Sequence, residues 1–227
     1  MMNKNIKNLY GLLLTCVAIL TFTACSNDDD EAPRIDSVWF NMVSRPIEQA
    51  PCAYAGQTIC LRGSGFGDLK KLIVNGTSIN LTTLYVYASD NNITFQLPSD
   101  VKTTGDNIRV VTSKGMCDFP FVVRPKDEQP TITAFSSTTL IAGRTLTITG
   151  TFLGGAKEVW LPLVYGEKVQ CVFDETQEND DETVHVIIPE NATFATGICE
   201  IVMEKYDEER DITYTEKVYS SSTNFTN

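Results

Sequence analysis

One motif occurs twice in this chain of 227 residues, and the repeat constrains the fold more than any other feature. Residues 55–67 read AGQTICLRGSGFG, and residues 142–154 read AGRTLTITGTFLG. Two further matches flank it in the same order: Pro33-Arg34-Ile35 with Pro130-Thr131-Ile132, and Leu97-Pro98 with Ile188-Pro189. Self-similarity over roughly 90 residues predicts two copies of one small domain.

Both copies have the residue pattern of half-buried β-strands. Inward apolar residues recur at every second position, at Ile59 and Leu61 in the first copy and at Val184, Val186 and Ile188 in the second. This period of two places one face of each strand in a core. Turn residues such as Asn75-Gly76 separate the strands, and no stretch after Cys25 has helical periodicity. The pattern predicts an all-β chain with short strands at the spacing of a β-sandwich.

The repeated elements also resemble a known family. Pro-x-Ile, then Ala-Gly-x-Thr with an alternating strand and a glycine, then (Leu/Ile)-Pro, is similar to the IPT/TIG immunoglobulin-like domain. The resemblance implies two tandem immunoglobulin-like sandwiches over residues 33–124 and 130–219. Residues 125–129 would be a proline-flanked linker and residues 220–227 a polar tail. The first copy has ten extra residues between its first two strands, within 39–54.

The N-terminal segment has the features of an export signal. Lys4 and Lys7 precede an apolar run at 11–22, which is shorter than the ~20 residues that span a bilayer. Phe22-Thr23-Ala24-Cys25 then resembles a bacterial lipobox. The resemblance implies that residues 1–24 are a signal peptide and that Cys25 is lipidated. An ordinary signal peptide with a chance cysteine is the alternative.

Residues 25–32 are expected to form an acidic tether. Asp28 to Glu31 are four consecutive carboxylates, which favour a solvated segment. The segment resembles the acidic export signal of surface lipoproteins from gut-dwelling Gram-negative anaerobes. This implies a lipid-anchored protein of the outer membrane that faces the cell exterior. A spacer facing the periplasm is the alternative.

Charge and composition exclude several function classes. The chain has 18 Lys and Arg against 29 Asp and Glu, a net charge of −11, which argues against nucleic-acid binding. Its one histidine, His185, excludes a His-rich metal site and is expected on an outward strand face. The glycine-rich segment at 63–67 does not match a dinucleotide-binding loop. That loop requires a glycine at position 68, which is Asp68 here, and a helix directly after it. We therefore predict no catalytic residues, no enzymatic activity and no cofactor.

The acidic segment at 174–182 is the place to consider a metal ion. Its six acids lack the ligand spacing and mid-loop glycine of an EF-hand. The sequence therefore predicts a solvated hairpin tip and no metal site. A loop stiffened by calcium is the alternative, although no motif supports it.

Five aromatic residues are candidate ligand contacts. Trp160 takes an outward position between inward Val159 and Leu161, and Tyr165 follows closely in the sequence. The faces of sugar rings are apolar and can stack on exposed aromatic rings. The remaining candidates are Trp39, at the start of the insertion, and the strand pair Tyr85 and Tyr87.

Structural roles compete with each of these interpretations. Trp160 could cover a sheet edge or pack at the contact between domains. The insertion at 39–54 could be a binding loop or an interdomain clasp. Tyr85 and Tyr87 could equally belong to the core or its rim.

The sequence specifies disulfide bonds and glycosylation only weakly. Cys171 with Cys199 and Cys52 with Cys117 are the favoured disulfide pairs, but buried free thiols are an equal alternative. Asp36-Ser37-Val38 resembles a short bacterial O-glycosylation acceptor, which would place a glycan on Ser37.

A family resemblance also suggests a function. A lipoprotein with tandem IPT/TIG domains resembles the surface glycan-binding proteins of starch-utilisation-like systems. This implies a monomeric, non-catalytic binding or spacer module that captures polysaccharide beside an outer-membrane uptake system. Its partners would be the membrane, polysaccharide and uptake proteins. The alternative is an adhesion or assembly protein that binds another protein through its sandwich faces.

Overall fold

The structure is a computed structural model and describes residues 31–40, 48–82, 86–208 and 210–227. The expectations for the signal peptide, Cys25 and Tyr85 lie outside the described residues. Within these ranges the regular structure is β-strand with two short 3-10 turns, and no helix has the length and hydrophobicity of a membrane span.

The first domain consists of two antiparallel sheets of four strands each. One has the order β1-β3-β7-β6 and the other β5-β4-β8-β9, while β2 and β10 form a short parallel pair. The strands are β1 (Arg34–Phe40), β2 (Ala53–Tyr54), β3 (Thr58–Ser64), β4 (Leu69–Val74), β5 (Thr77–Ser78), β6 (Val86–Ala88), β7 (Asn92–Gln96), β8 (Asn107–Thr112), β9 (Gly115–Pro120) and β10 (Val123–Arg124). Inward residues such as Leu61 and Leu72 are fully buried between the sheets.

The second domain has the same two layers, but one of its strands joins them. Its strands are β11 (Thr131–Phe135), β12 (Thr145–Thr151), β13 (Ala156–Pro162), β14 (Lys168–Phe173), β15 (Thr183–Ile187), β16 (Thr196–Gly197), β17 (Glu200–Asp207), β18 (Ile212–Tyr219) and β19 (Thr223–Asn224). Seven of them form one ladder in the order β11-β12-β15-β14-β13-β17-β18. Strand β14 joins the layers, because its first residues pair with β13 and its last two with β15. In the first domain β5 pairs with β4 in one sheet, and β6 pairs with β7 in the other.

The all-β fold of two tandem immunoglobulin-like sandwiches is therefore confirmed. The repeated glycines explain why the two copies share a motif. A Cβ at Gly63 would lie 1.9 Å from the carbonyl oxygen of Arg34, and one at Gly150 would lie 2.0 Å from that of Thr131. Each glycine lets the first strand of its domain approach the next strand closely. The glycine run is structural, as predicted.

The C-terminal segment differs from the polar tail expected at 220–227. Strand β19 pairs with β16, and the Phe225 side chain is 1% exposed. Its ring packs edge-on against Phe135, with 5.0 Å between centroids. Burial of one large aromatic ring outweighs the polarity of its neighbours, so the segment completes the core of the second domain.

Polar contacts join the two domains beside the linker. The Arg124 guanidinium lies 3.0 Å from an oxygen of Asp207. The Tyr54 hydroxyl donates a 3.0 Å hydrogen bond to Glu216. The Tyr219 hydroxyl donates one, also of 3.0 Å, to Glu48. Glu48 and Tyr54 belong to the insertion of the first domain, so these contacts favour its interpretation as an interdomain clasp.

Candidate binding surfaces

An aromatic row crosses the outer face of the second domain. Trp160 on β13 pairs with Gln170 on β14 and with Glu200 on β17, and Glu200 pairs with Tyr219 on β18. Opposed residues share a face of the sheet. Trp160 is half-buried, and its indole N–H donates a 2.8 Å hydrogen bond to Glu158, two residues earlier on the same face. That bond fixes the orientation of the ring.

Glu200 is a buried charge between the two aromatic residues of this row. Its carboxylate is paired with Lys168 and lies 3.2 Å from the ammonium of Lys217. Burial raises the pKa of Glu200, but hydrogen bonds and charges from the two lysines outweigh that effect and hold the pKa below its ordinary value. The carboxylate is thus ionised and keeps both ammonium groups at the surface.

A cavity of about 380 Å³ opens at one end of this row. Its walls include apolar and polar side chains from three parts of the domain: Pro162, Leu163, Tyr165, Lys168, Thr196, Ile198 and Tyr219. Gly197 packs closely against one wall, because a Cβ there would lie 2.5 Å from the Cβ of Pro162. The cavity is therefore formed by close contact between the β13 end and the β16 segment.

Tyr165 stands at the rim of this cavity with an unusual backbone. Its φ is 64° and its ψ is 16°, which is the left-handed region, and Gly166 follows with a φ of 78°. A bulky residue is rare there and costs of order 1–3 kcal/mol in strain. The Tyr165 side chain is 98% exposed. The fold thus holds an unburied aromatic ring in a strained position, a combination that packing does not explain.

Tyr165 lines the cavity, and Trp160 lies close to it on the same strand as Pro162. Pro162 lines the cavity and lies two residues after Trp160 on the same strand. Tyr219 was missed by sequence reasoning. The alternating pattern of β18, which places Tyr219 on the outward face, could have identified it as a candidate.

A second row crosses the outer face of the first domain. Trp39 pairs with Cys60, Cys60 with Thr94, and Thr94 with Tyr87. The Tyr87 side chain is 67% exposed. The Trp39 side chain is half-buried, and the guanidinium carbon of Arg62 lies 4.0 Å from its ring centroid. One face of the Trp39 ring is therefore occupied by a cation.

The structure also places the predicted glycosylation site and the predicted disulfide cysteines. Ser37 is half-buried on β1, where its hydroxyl accepts a 2.9 Å hydrogen bond from Trp39; glycosylation of Ser37 stays a prediction. Neither predicted disulfide is present, and the five cysteines of the described residues are free thiols: Cys52, Cys60, Cys117, Cys171 and Cys199. Burial raises the pKa of Cys52 and of Cys171 to about 12 in each case.

The acidic loop at 174–182 uses its carboxylates internally. Asp174 accepts hydrogen bonds from the hydroxyls of Thr145 and Thr176, each of 2.6 Å, and these bonds lower its pKa to about 2. Asp180 accepts backbone N–H bonds from Glu182 and Thr183. In the described part of the chain no three potential ligands are grouped for a metal ion. The loop is thus organised by its own hydrogen bonds.

His185 lies on β15, as expected, on a half-buried outward position. Its Nδ1 is 3.0 Å from the Thr147 hydroxyl. That contact ties neighbouring strands together across the sheet.

No protein-family model and no curated protein sequence match this chain. Among solved structures, it is similar to the surface glycan-binding protein PbSGBP-B from Prevotella bryantii, with 18% identity and a TM-score of 0.37. That match covers 86% of this chain and 41% of the other, so the chain spans about two fifths of that protein's length.

Two other solved structures give comparable values. SGBP-B from a complex xyloglucan utilization locus in Bacteroides uniformis has 16% identity and a TM-score of 0.33, over 86% of this chain and 50% of that one. The I9–I11 tandem of titin has 11% identity and a TM-score of 0.27, over 76% and 62%. With identities below 25% and TM-scores below 0.5, these likenesses assign no function to this chain.

Proposed function

We propose that this protein binds carbohydrate without catalysis, and that the cavity beside Tyr165 holds a polysaccharide chain. The observation that carries the proposal is the Tyr165 ring, almost fully exposed on a left-handed backbone. Such strain persists where a function requires the conformation. An exposed aromatic ring at a cavity rim is suited to the apolar face of a sugar ring.

The other walls of the cavity supply the polar contacts that a sugar requires. Lys168 and Thr196 offer donors to sugar hydroxyls, and the Glu167 carboxylate accepts from them. Pro162 and Ile198 add apolar surface to the cavity walls. A pyranose has both hydroxyl edges and C–H faces, so this mixture matches its chemistry better than that of an ion or a purely apolar ligand.

The described acidic residues around the cavity are too few for glycoside hydrolysis, which favours binding without cleavage. Glycoside hydrolysis normally uses two acids on opposite sides of the scissile bond. Of the described residues that line this cavity, Glu167 alone is an acid. A bound polysaccharide would therefore be held and not cleaved.

The proposed location follows from the N-terminal sequence. Lipidation of Cys25 would anchor the chain to the outer membrane, and the acidic residues at 28–31 would direct it to the cell exterior. There it would pass polysaccharide to neighbouring uptake proteins. Fractionation of cells that express Cys25→Ala tests the anchor: the variant should leave the membrane fraction, and continued membrane attachment would refute it.

Affinity gel electrophoresis with a panel of soluble neutral polysaccharides tests the binding site. At least one polymer should retard the wild type, and Tyr165→Ala should remove most of that retardation. Tyr206→Ala is the matched control, because Tyr206 is also an exposed tyrosine of this domain but does not line the cavity. If no polymer retards the folded protein, or if both variants lose retardation equally, the proposal fails and protein binding becomes the preferred alternative.

A further inference from the structure

The outer face of the first domain has a feature that the cavity beside Tyr165 does not use. Arg62 on β3 is exposed and stacks on Trp39 of β1. A guanidinium over an indole ring is attracted by the ring's electrons and loses part of its rotational freedom. The Arg62 side chain is therefore held in a defined place on the sheet surface.

Arg62 also lacks a counter-charge in an acidic chain. Acids outnumber bases by 29 to 18, and other arginines pair with carboxylates at 2.7 to 3.0 Å: Arg34 with Asp36, Arg109 with Asp118, and Arg124 with Asp207. In the described ranges of the chain, Arg62 has no such ion pair. Its guanidinium carries several N–H donors, and a carboxylate of a ligand could accept from two of them at once.

The residues directly opposite Arg62 on this face are neutral, and the exposed Arg34–Asp36 ion pair lies beside them on β1. Ser37 and Asn92 stand directly opposite it on the two adjacent strands, and Thr94 lies one row further along. Tyr87 on β6 lies two strand spacings away, about 10 Å across the sheet. The face thus combines the stacked Arg62 guanidinium, small polar groups, the Arg34–Asp36 ion pair and an exposed aromatic ring.

We propose that this face is a second binding site, for an acidic polysaccharide that contains uronic acid residues. The planar fork of Arg62 would bind a uronate carboxylate, and Tyr87 would stack on a neighbouring sugar ring. Arginine matches carboxylate geometry with two parallel hydrogen bonds. The site lies in a different domain from the Tyr165 cavity, so it does not depend on the neutral-polysaccharide site.

Affinity gel electrophoresis with polygalacturonate, and with the same polymer after carboxyl reduction, tests this site. The wild type should be retarded by polygalacturonate and not by the reduced, neutral polymer. Arg62→Gln should weaken retardation at least about tenfold, since a charge-assisted contact is lost. Arg144→Gln, an exposed arginine of the second domain, makes the same change of net charge and should leave retardation within about twofold of the wild type.

Two further variants distinguish binding by the Arg62 fork from a general charge effect and from binding at the Tyr165 cavity. Arg62→Lys keeps the charge but not the fork and should retain only part of the binding. Tyr165→Ala should bind polygalacturonate as the wild type does, which keeps the result distinct from that for the neutral-polysaccharide site. Equal retardation by the reduced polymer, equal loss in both glutamine variants, or an Arg62→Gln variant that binds normally would each overturn the proposal. Retardation by a sulfated polymer but not by polygalacturonate would overturn the uronate assignment.

Discussion

The hydroxyl of Tyr54 and the carboxylate of Glu216 are 162 positions apart in the chain and are joined by a buried hydrogen bond of 3.0 Å. Tyr54 ends β2 in the first domain, and Glu216 lies on β18 in the second. Burial and the nearby charge of Glu216 raise the pKa of Tyr54 well above its ordinary range, so its hydroxyl remains a donor at physiological pH. The two domains are thus connected by a specific contact as well as by the linker.

Tyr54→Phe should therefore destabilise the protein by about 1–3 kcal/mol, because a buried carboxylate oxygen loses its donor. Urea unfolding measures this change. Tyr87→Phe is the matched control: it removes a hydroxyl from an exposed ring and should shift the free energy of unfolding by less than about 0.5 kcal/mol. Equal effects of the two substitutions would contradict the interdomain contact.

Phe225→Ala should destabilise the second domain by about 3–5 kcal/mol, the usual cost of removing a buried phenylalanine ring. The expectation follows from its burial against Phe135. Thermal unfolding followed by circular dichroism gives the change. Phe152→Ala removes an exposed ring in the same domain and serves as the comparison. A stability unchanged by Phe225→Ala would mean that the segment at 220–227 is a free tail after all.

Tyr165→Gly should remove polysaccharide binding and stabilise the fold. Glycine adopts the left-handed backbone without the Cβ clash, so the free energy of unfolding should rise by about 1 kcal/mol. Gly166→Ala is the reverse test. A Cβ at Gly166 has open space, yet its φ of 78° should cost a similar amount. Destabilisation by Tyr165→Gly would show that this backbone conformation is not strained.

Asp174→Asn should lower stability at pH 7, and its effect should shrink as the pH falls towards and below 2. The folded pKa of about 2 lies below the ordinary value near 4, so the ionised carboxylate stabilises the fold above about pH 5. This contribution is lost as the pH falls through the folded pKa. Urea midpoints across this range measure it. Glu175→Gln removes an exposed acid from the same loop and makes the same change of net charge. An equal loss of stability at pH 7 in that variant would implicate net charge and not the hydrogen bonds of Asp174.

The buried thiols should resist alkylation until the protein unfolds. Cys199 is fully buried and burial raises its pKa, as it does for Cys171, so little reactive thiolate forms. Iodoacetamide at pH 8 should leave both unlabelled in the native state and label both in urea. The half-buried Cys117 is the internal comparison and should react first. Mass spectrometry that finds a Cys171–Cys199 disulfide in the purified protein would contradict this prediction.

The repeat made the fold predictable because its glycines and alternating residues encode local geometry. Gly63 and Gly150 occupy equivalent close approaches between strands, and one copy could be read against the other. The position of Phe225 was not predictable in this way. Its immediate neighbours in the sequence are polar. Its burial depends on contact with Phe135, which lies on the first strand of the same domain and is distant in the sequence.

The candidate sites were predictable only as outward positions. The alternating pattern placed Trp160 and Trp39 on the outward faces of their strands. In the structure both side chains are half-buried on those faces. The register between strands decides which residues these side chains contact, and the alternating pattern does not specify that register. Arg62 contacts Trp39 because β1 pairs with β3 so that Trp39 lies opposite Cys60 and Ser37 lies opposite Arg62. The sequence likewise left open whether Cys52, Cys117, Cys171 and Cys199 form disulfides or remain free thiols.

Strand β14 gives the two domains different mechanical properties. Its backbone is hydrogen-bonded to both layers of the second sandwich, whereas the layers of the first sandwich have separate partners in β5 and β6. Pulling apart the second sandwich would break main-chain hydrogen bonds as well as side-chain contacts. Separating the two layers of the first sandwich would break no such bonds among its described strands.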